Sequence, residues 1–199
     1  MNPKVRIATT EDAEGILAIY NPCILHTAIT YEEKPLASAQ MRARMAEIMV
    51  GHPWLVCVDD RNEVLGYAYA SLHGARAAYR WSVDVAIYTH PGHHRRGMGR
   101  TLYSVLLNIL KLQGYVSAYA GISLPNPASV GLHEALGFKP AGVFPSAGFK
   151  LGEWRDVGWW YLPLAPRANA PAEPVSFNVI QGTEECKRLV RSVPTSVPH

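Results

Sequence analysis

The chain is predicted to be an α/β protein built on a mixed, twisted sheet with helices on both faces. Three observations carry this reading. Short runs that alternate apolar and polar residues are interleaved with longer runs that are apolar at helical spacing. Two strand-like runs, Trp54–Val58 and Val64–Ala70, are joined by Asp59-Asp60-Arg61-Asn62, the pattern of a hairpin and so of an antiparallel pair. A third run, Val83–Tyr88, passes through a glycine-rich stretch into Thr101–Leu112, which is apolar at Leu102, Leu106, Ile109 and Leu110.

The remaining elements follow in order. Val5–Ala8 is a short strand. Thr9-Thr10-Glu11-Asp12 starts a helix, with acids in its first turn where the helix dipole favours them. Ile16, Leu17, Ile19 and Tyr20 form its apolar face, Pro22 disturbs its end, and a loop carries Thr30, Tyr31 and Glu32. After Pro35 a second helix spans Leu36–Met49, with Met41, Met45, Ile48 and Met49 packed inward. A loop around Gly74-Ala75-Arg76 precedes a strand from Tyr79 to Tyr88. The helix after the glycine stretch ends at Gly114, and Val116–Ile122 is a strand. Pro125-Asn126-Pro127 opens a short helix closed by Gly137 in the left-handed position past its end. Phe138–Val143 is a strand, Phe144–Trp154 a turn-rich connection and Val157–Leu164 the last strand. Beyond it Pro163, Pro166, Pro171 and Pro174 mark a linker or extended tail, in which Val175–Ile180 can add an edge strand and Thr183–Arg191 a helix. The tail either is poorly ordered or covers a site or a partner subunit.

With 199 residues, 48% apolar and 18% charged, the chain suits one domain with a full core. The net charge of +3 is spread along the chain, which argues against nucleic acid as the main partner. Cys23, Cys57 and Cys186 are few and widely spaced, so neither a disulfide framework nor a metal site is expected, and a reducing, cytoplasmic setting fits. The first residues are charged and lack an apolar signal segment, and no apolar run reaches membrane-spanning length.

The glycine-rich stretch is His90-Pro91-Gly92-His93-His94-Arg95-Arg96-Gly97-Met98-Gly99-Arg100. Lying at a helix N-terminus, it is an anion site by construction. Backbone N–H groups there have no intrahelical acceptor, the dipole adds positive potential, and glycine lets a phosphate approach the main chain. It is no P-loop, because no Lys-Ser or Lys-Thr follows the glycines. Nor is it a Rossmann turn, because Leu102 stands where the third small residue belongs. On its own the stretch is equally a surface turn with a glycine cap. It resembles the pyrophosphate loop of the GNAT acetyltransferases, Q/R-x-x-G-x-G/A, with His94 in the first place.

Other strings extend that resemblance over about Val5–Leu164. Trp81-Ser82-Val83-Asp84-Val85-Ala86-Ile87-Tyr88, Gly97-Met98-Gly99-Arg100-Thr101-Leu102-Tyr103, Leu124-Pro125-Asn126, His133-Glu134-Ala135-Leu136-Gly137-Phe138, Gly148-Phe149-Lys150 and Trp154-Arg155-Asp156-Val157-Gly158 occur in one order and spacing. Together they resemble the phosphinothricin and methionine sulfoximine N-acetyltransferase family. The resemblance implies the GNAT fold over residues 1–165, followed by a Pro-rich extension over 166–199. It implies acetyl-CoA as cosubstrate, no metal, a small amino acid analogue as acceptor and a homodimer with C-terminal strands near its interface.

It also implies roles for particular residues. Asp84, where the relatives carry Glu, is the candidate base for the amine; strand alternation sets it on the face opposite Val83, Val85 and Ile87. The alternative is a strand-end Asp paired with Arg80 or Arg76. His133, in the family's His-Glu-Ala-Leu-Gly-Phe string, is a candidate proton donor to the leaving thiolate, or a helix residue packed under the cofactor. Ala86, Ile87 and Tyr88 offer main-chain groups to the pantetheine arm and polarise the thioester carbonyl. His94, Arg95, Arg96, Gly97, Met98, Gly99 and Arg100 hold the pyrophosphate. Asn126 bonds the CoA arm, caps its helix, or does both. Tyr31, Arg76 and Tyr79 match substrate-contacting positions, the arginine as a clamp for an anionic group or else as a solvated loop residue. Gly74 stands where the phosphinothricin enzyme has a Lys. Neither Cys23 nor Cys57 has the setting of an acyl-carrying nucleophile, so direct attack in a ternary complex is expected. Acetylation of peptide N-termini or polyamines, CoA binding without turnover, and general nucleotide binding are the alternatives.

Overall fold

Trp54–Val58 contains no charged side chain, and as β2 (Trp54–Val58) it is buried along its whole length, one strand in from the edge of a sheet covered on both faces. The computed structural model describes residues 3–93 and 97–191. Seven strands, β1 (Lys4–Ile7), β2, β3 (Val64–Leu72), β4 (Ser82–Thr89), β5 (Ser117–Ser123), β6 (Lys139–Lys150) and β7 (Glu153–Pro163), form a single sheet in the order β1-β2-β3-β4-β5-β7-β6. Every neighbouring pair is antiparallel except β4–β5, which is parallel. Helices α1 (Ala13–His26) and α2 (Ser38–Gly51) cover one face. There Ile16, Ile24, Met41 and Met45 pack with Trp54 and Tyr67. Helix α3 (Met98–Gln113) and α4 (Pro127–Ala135) cover the other, where Leu102, Leu106 and Ile109 meet Val83, Ala118 and Ile122.

The expected hairpin, the strand–glycine–helix unit and the late helix are all present, and the mixed α/β sheet with helices on both faces is as expected. Four local readings change. Helix α1 continues through Pro22 to His26. The strand expected to start at Tyr79 starts at Ser82, because Ala77–Tyr79 form a 3-10 turn. The stretch Phe144–Trp154 is not a turn-rich connection: β6 runs on to Lys150 and pairs with β7 as far as Lys150↔Glu153. Pro145 and Gly148 mimic a loop, yet they sit in a register shift between Phe144 and Gly148 on an edge strand, where proline is tolerated. The hairpin closes through Leu151 and Gly152, both at positive φ (54° and 80°), as a tight two-residue turn requires.

The fourth change concerns the C-terminal extension. Val175–Ile180 forms no strand; Phe177–Ile180 is a helical turn, α5, followed by α6 (Glu184–Arg191). The preceding residues are strapped to the body. Val175 N–H donates to the Gln113 carbonyl at 2.7 Å, and the Gln113 side chain donates to the carbonyls of Val175 (2.7 Å) and Gly51 (2.8 Å). Trp81 Nε1–H donates to the Ala172 carbonyl at 2.8 Å, and Arg80 pairs with Glu173 at 3.1 Å. Phe177, Ile180 and Cys186 are buried in the same core as α3. The alternation-poor, Pro- and Ala-rich composition conceals this because the anchoring residues are few and far apart.

Two consequences are measurable. Phe177→Ala removes a fully buried ring and should lower the unfolding free energy by about 3–5 kcal/mol in denaturant titration, if the extension belongs to the cooperative unit. On the edge strand β1, Arg6 donates to both oxygens of Asp12 (2.8 and 2.6 Å), which also accepts from Thr9 N–H at 2.8 Å. Burial pushes the Asp12 carboxyl up, but these bonds outweigh it and hold it below its ordinary value. The stabilisation is therefore complete above about pH 4, the ordinary carboxylate range, and is lost as pH falls through the lowered folded-state value. Asp12→Asn should flatten this acid limb in thermal melts taken across that range.

Candidate active site

The parallel ladder between β4 and β5 is short. It joins Ser82↔Ser117, Val83↔Ala118 and Asp84↔Tyr119 and then stops, although β4 continues to Thr89 and β5 to Ser123. β5 stays paired with β7 to its end, and β4 with β3, so the two strands part like a fork. Beyond the fork, among the described residues, the β5-facing edge of β4 has no ladder partner from Val85 to Tyr88. A cleft of about 850 Å³ opens between the strands and is lined by Val85–Thr89 and Ala120–Ser123. The Tyr88 ring packs into the α1 side of the core, edge-on to Tyr20 and stacked on Tyr67, so from Val85 to Ile87 the polar groups β4 offers are main-chain.

The N-terminus of α3 closes one end of this cleft with Gly97, Met98, Gly99 and Arg100. Gly97 caps the helix at φ +72°, a left-handed conformation that disfavours side chains. Gly99 is small for another reason: a Cβ there would lie 3.0 Å from Leu132 Cδ2, so α3 and α4 approach closely at this point. The first-turn N–H groups and the positive end of the helix dipole thus border the cleft. His94, Arg95 and Arg96 lie outside the described residues.

Asn126 and His133 border the same cleft. Asn126 Oδ1 accepts from Ser129 N–H at 3.1 Å, so the residue is a true N-cap, and its amide NH2 is not used by that bond. His133 is buried, with both ring nitrogens engaged. Nδ1 lies 2.7 Å from the Ser129 carbonyl, which only accepts, so Nδ1 carries the proton. Nε2 then accepts from the Tyr103 hydroxyl at 3.0 Å. Burial pushes the His133 imidazole down, in keeping with a neutral ring. Tyr103, fully buried and part of the cleft wall, did not stand out in the sequence.

Asp84, at the fork, pairs with neither arginine weighed for it. Its Oδ1 accepts from Nδ1–H of His73 at 2.6 Å, while Arg80 turns to Glu173. Burial pushes the Asp84 carboxyl up and the His73 bond offsets part of that rise. The His73 ring stacks on Tyr119 (4.3 Å between centroids) and meets the edges of Tyr79 (5.7 Å) and Trp159 (6.1 Å). Tyr79 is therefore brought to Asp84 through His73. Arg76 caps the same 3-10 turn and is exposed, with no ion pair among the described residues. Tyr31 reaches the cleft differently: its hydroxyl shares a 3.1 Å hydrogen bond with Ser123, and Gly148 leaves room for its ring. His73, Tyr119 and Trp159 escaped the sequence reading. The signal was the β3–β4 register, in which Ser71 opposes Asp84 and His73 lies diagonally on the same face.

Comparisons with known proteins agree with this geometry. Residues 5–159 match the family described as Acetyltransferase (GNAT) domain. A phosphinothricin N-acetyltransferase of Streptomyces viridochromogenes is 37% identical over 87% of this chain and 94% of its own length. The L-methionine sulfoximine/L-methionine sulfone acetyltransferase of Pseudomonas aeruginosa is 34% identical over 86% of this chain and all of its own. Among solved structures, a GNAT phosphinothricin acetyltransferase from Sinorhizobium meliloti in complex with acetyl-CoA superposes with a TM-score of 0.83 at 37% identity, covering 88% of this chain and 96% of that one. With a parted β4–β5 pair, a glycine-capped α3 facing the gap and this match over most of its length, the chain belongs to the GNAT acetyltransferase family and is an N-acetyltransferase.

Proposed function

We propose that the protein transfers the acetyl group of acetyl-CoA to the α-amine of a small amino acid analogue of the phosphinothricin, methionine sulfoximine or methionine sulfone type, by direct attack in a ternary complex. The observation that carries the reading is the fork: a cleft along the edge of β4 where the parallel ladder has ended, with a half-buried carboxylate, Asp84, at the last paired position before it. The names of the relatives support the acceptor class. Acetyl-CoA would supply the activated acetyl thioester.

The chain's own groups divide the work. The first turn of α3, with Gly97 and Gly99 allowing close approach, suits a pyrophosphate. Main-chain groups of Ala86, Ile87 and Tyr88 suit the amides of an extended arm and a polarised carbonyl. Asn126 keeps its amide NH2 for the same arm. Asp84 supplies the negative charge on which deprotonation of an ammonium depends. His133, its nitrogens committed, acts by holding the Tyr103 hydroxyl, whose one O–H it accepts, in the cleft wall under the arm. Tyr31, Tyr79 and the exposed Arg76 suit an amino acid with an anionic end.

The same reading includes a homodimer in the cytoplasm. Phe144, Phe149 and Trp154 on the β6–β7 hairpin are each more than half exposed, a concentration of large apolar side chains that a second subunit would cover. All three cysteines are free thiols, as a reducing compartment requires.

The test is thiol release from acetyl-CoA, read with DTNB, with methionine sulfoximine, methionine sulfone, phosphinothricin, spermidine and a peptide N-terminus offered in parallel. Turnover is expected with at least one of the first three. Asp84→Ala should lower kcat by roughly 10²-fold or more while acetyl-CoA binding persists. Release confined to spermidine or the peptide would reject the acceptor class. Gly97→Ala, strained at its positive φ, should raise the KM for acetyl-CoA more than it lowers kcat.

A further inference from the structure

We propose that the atom that takes the proton from the substrate ammonium is Nε2 of His73, with Asp84 holding the opposite ring nitrogen and balancing the charge that forms. This deepens the acetyl-transfer reading and rests on it. A carboxylate can only accept, so the 2.6 Å contact between Nδ1 and Asp84 Oδ1 fixes the proton on Nδ1 and leaves Nε2 with its lone pair. Among the described residues Nε2 has no hydrogen-bond partner, and it is not one of the buried polar atoms left unpaired. The side chain keeps 26% of its surface exposed. The free nitrogen is thus open to a ligand while the bonded one is inside.

The ring cannot readily turn away. It lies nearly parallel to Tyr119, at 14°, and meets Tyr79 and Trp159 edge-on at 88° and 82°. Four elements therefore define one orientation: β4 through Asp84, β5 through Tyr119, β7 through Trp159 and the 3-10 turn through Tyr79. Of the groups facing the ring, Asp84, Tyr79 and Tyr119 can titrate, and Asp84 alone of these is a carboxylate. The place is right as well. Asp84 and Tyr119 are the last paired residues before β4 and β5 part, and the next residues on each strand, Val85 and Ala120, line the cleft.

The chemistry favours this division of labour. Near neutral pH an imidazole is a better proton acceptor than a carboxylate, and a carboxylate behind it fixes its tautomer and stabilises the imidazolium. An aspartate side chain is short, and the ring extends its reach beyond the sheet. The protons balance. Of the three on the ammonium, one passes to Nε2 and then to solvent. As the C–N bond forms and the C–S bond breaks, a second ends on the departing sulfur, and the third stays on the new amide.

Replacing Asp84 does not separate this idea from a simple carboxylate base, but replacing His73 does. His73→Phe keeps an aromatic ring against Tyr119; His73→Ala leaves a gap. Both should melt within a few degrees of wild type. Both should lose roughly 10²-fold or more in kcat with little change in the KM for acetyl-CoA. Added imidazole should restore His73→Ala but not His73→Phe, which leaves no room for it, and a packing role would give no such rescue. A kcat within threefold of wild type in His73→Phe, or no imidazole rescue of a well-folded His73→Ala, would overturn the proposal.

Failure of the acetyl-transfer reading itself looks different: wild type then binds acetyl-CoA and acetylates no amine of the panel. In that event NMR of the wild-type imidazole decides. A far-downfield Nδ1 proton that disappears in Asp84→Ala, with Nε2 as the titrating nitrogen, upholds the proposed pair. A ring protonated on Nε2 when neutral overturns it.

Discussion

The structure depends on one interruption: the parallel ladder between β4 and β5 ends after Asp84↔Tyr119. Buried main-chain donors and acceptors are costly when unpaired, so a fork in the middle of a sheet needs something to complete it. Both strands remain tied on their outer edges, β4 to β3 through Gly66↔Thr89 and β5 to β7 through Ser123↔Val157. The gap is therefore rigid and does not collapse. Every other feature of the site is arranged around it. α3 sets its glycine-capped N-terminus at one end, α4 brings Asn126 and His133 along its side, and the apex carries Asp84.

Two polar pairs flank the gap, and they are built differently. Tyr103–His133 is sealed: both residues are buried, both imidazole nitrogens are used, and the chain of bonds ends at the Ser129 carbonyl. Such a fully satisfied pair holds a hydroxyl in place and resists charging. Asp84–His73 is half open. Its inner bond is short and its outer nitrogen has no partner among the described residues, while aromatic rings from three elements fix the plane. Burial disfavours the carboxylate there, and the imidazole partner offsets part of that effect. A closed pair suits orientation, and an open pair suits proton exchange.

How much of this was legible in the sequence follows from how local each requirement is. Gly97 and Gly99 stood out because a left-handed cap and a close helix–helix approach each act at a single residue. Asp84 stood out because strand alternation puts a carboxylate on a definite face, and the match of dispersed strings to a known family gave it a role. His73 did not, because it lies just past the end of β3, where strand alternation no longer assigns a face. Its partnership needs the β3–β4 register, and a register is a property of two strands. The outer half of β6 was hidden by Pro145 and Gly148, residues that an edge strand tolerates and a central one would not. The packing of Phe177, Ile180 and Cys186 was hidden by the proline-rich approach to them, since composition reports the average of a segment and not its anchors.

Those anchors bear on the site by way of α3. The helix that faces the cleft with its N-terminus is gripped near its C-terminus by Gln113, whose side chain bridges the end of α2 and the strap at Val175. α5 and α6 then share the core that buries the apolar face of α3. A helix is stiff along its axis, so fixing one end and one face limits the movement of the other end. Among the described residues the extension supplies none of the cleft lining, yet it helps decide where the first turn of α3 stands relative to the parted strands. Strands held at their outer edges and a helix held at its far end are the same solution applied twice. The protein keeps an open, partly unpaired centre by over-determining what surrounds it.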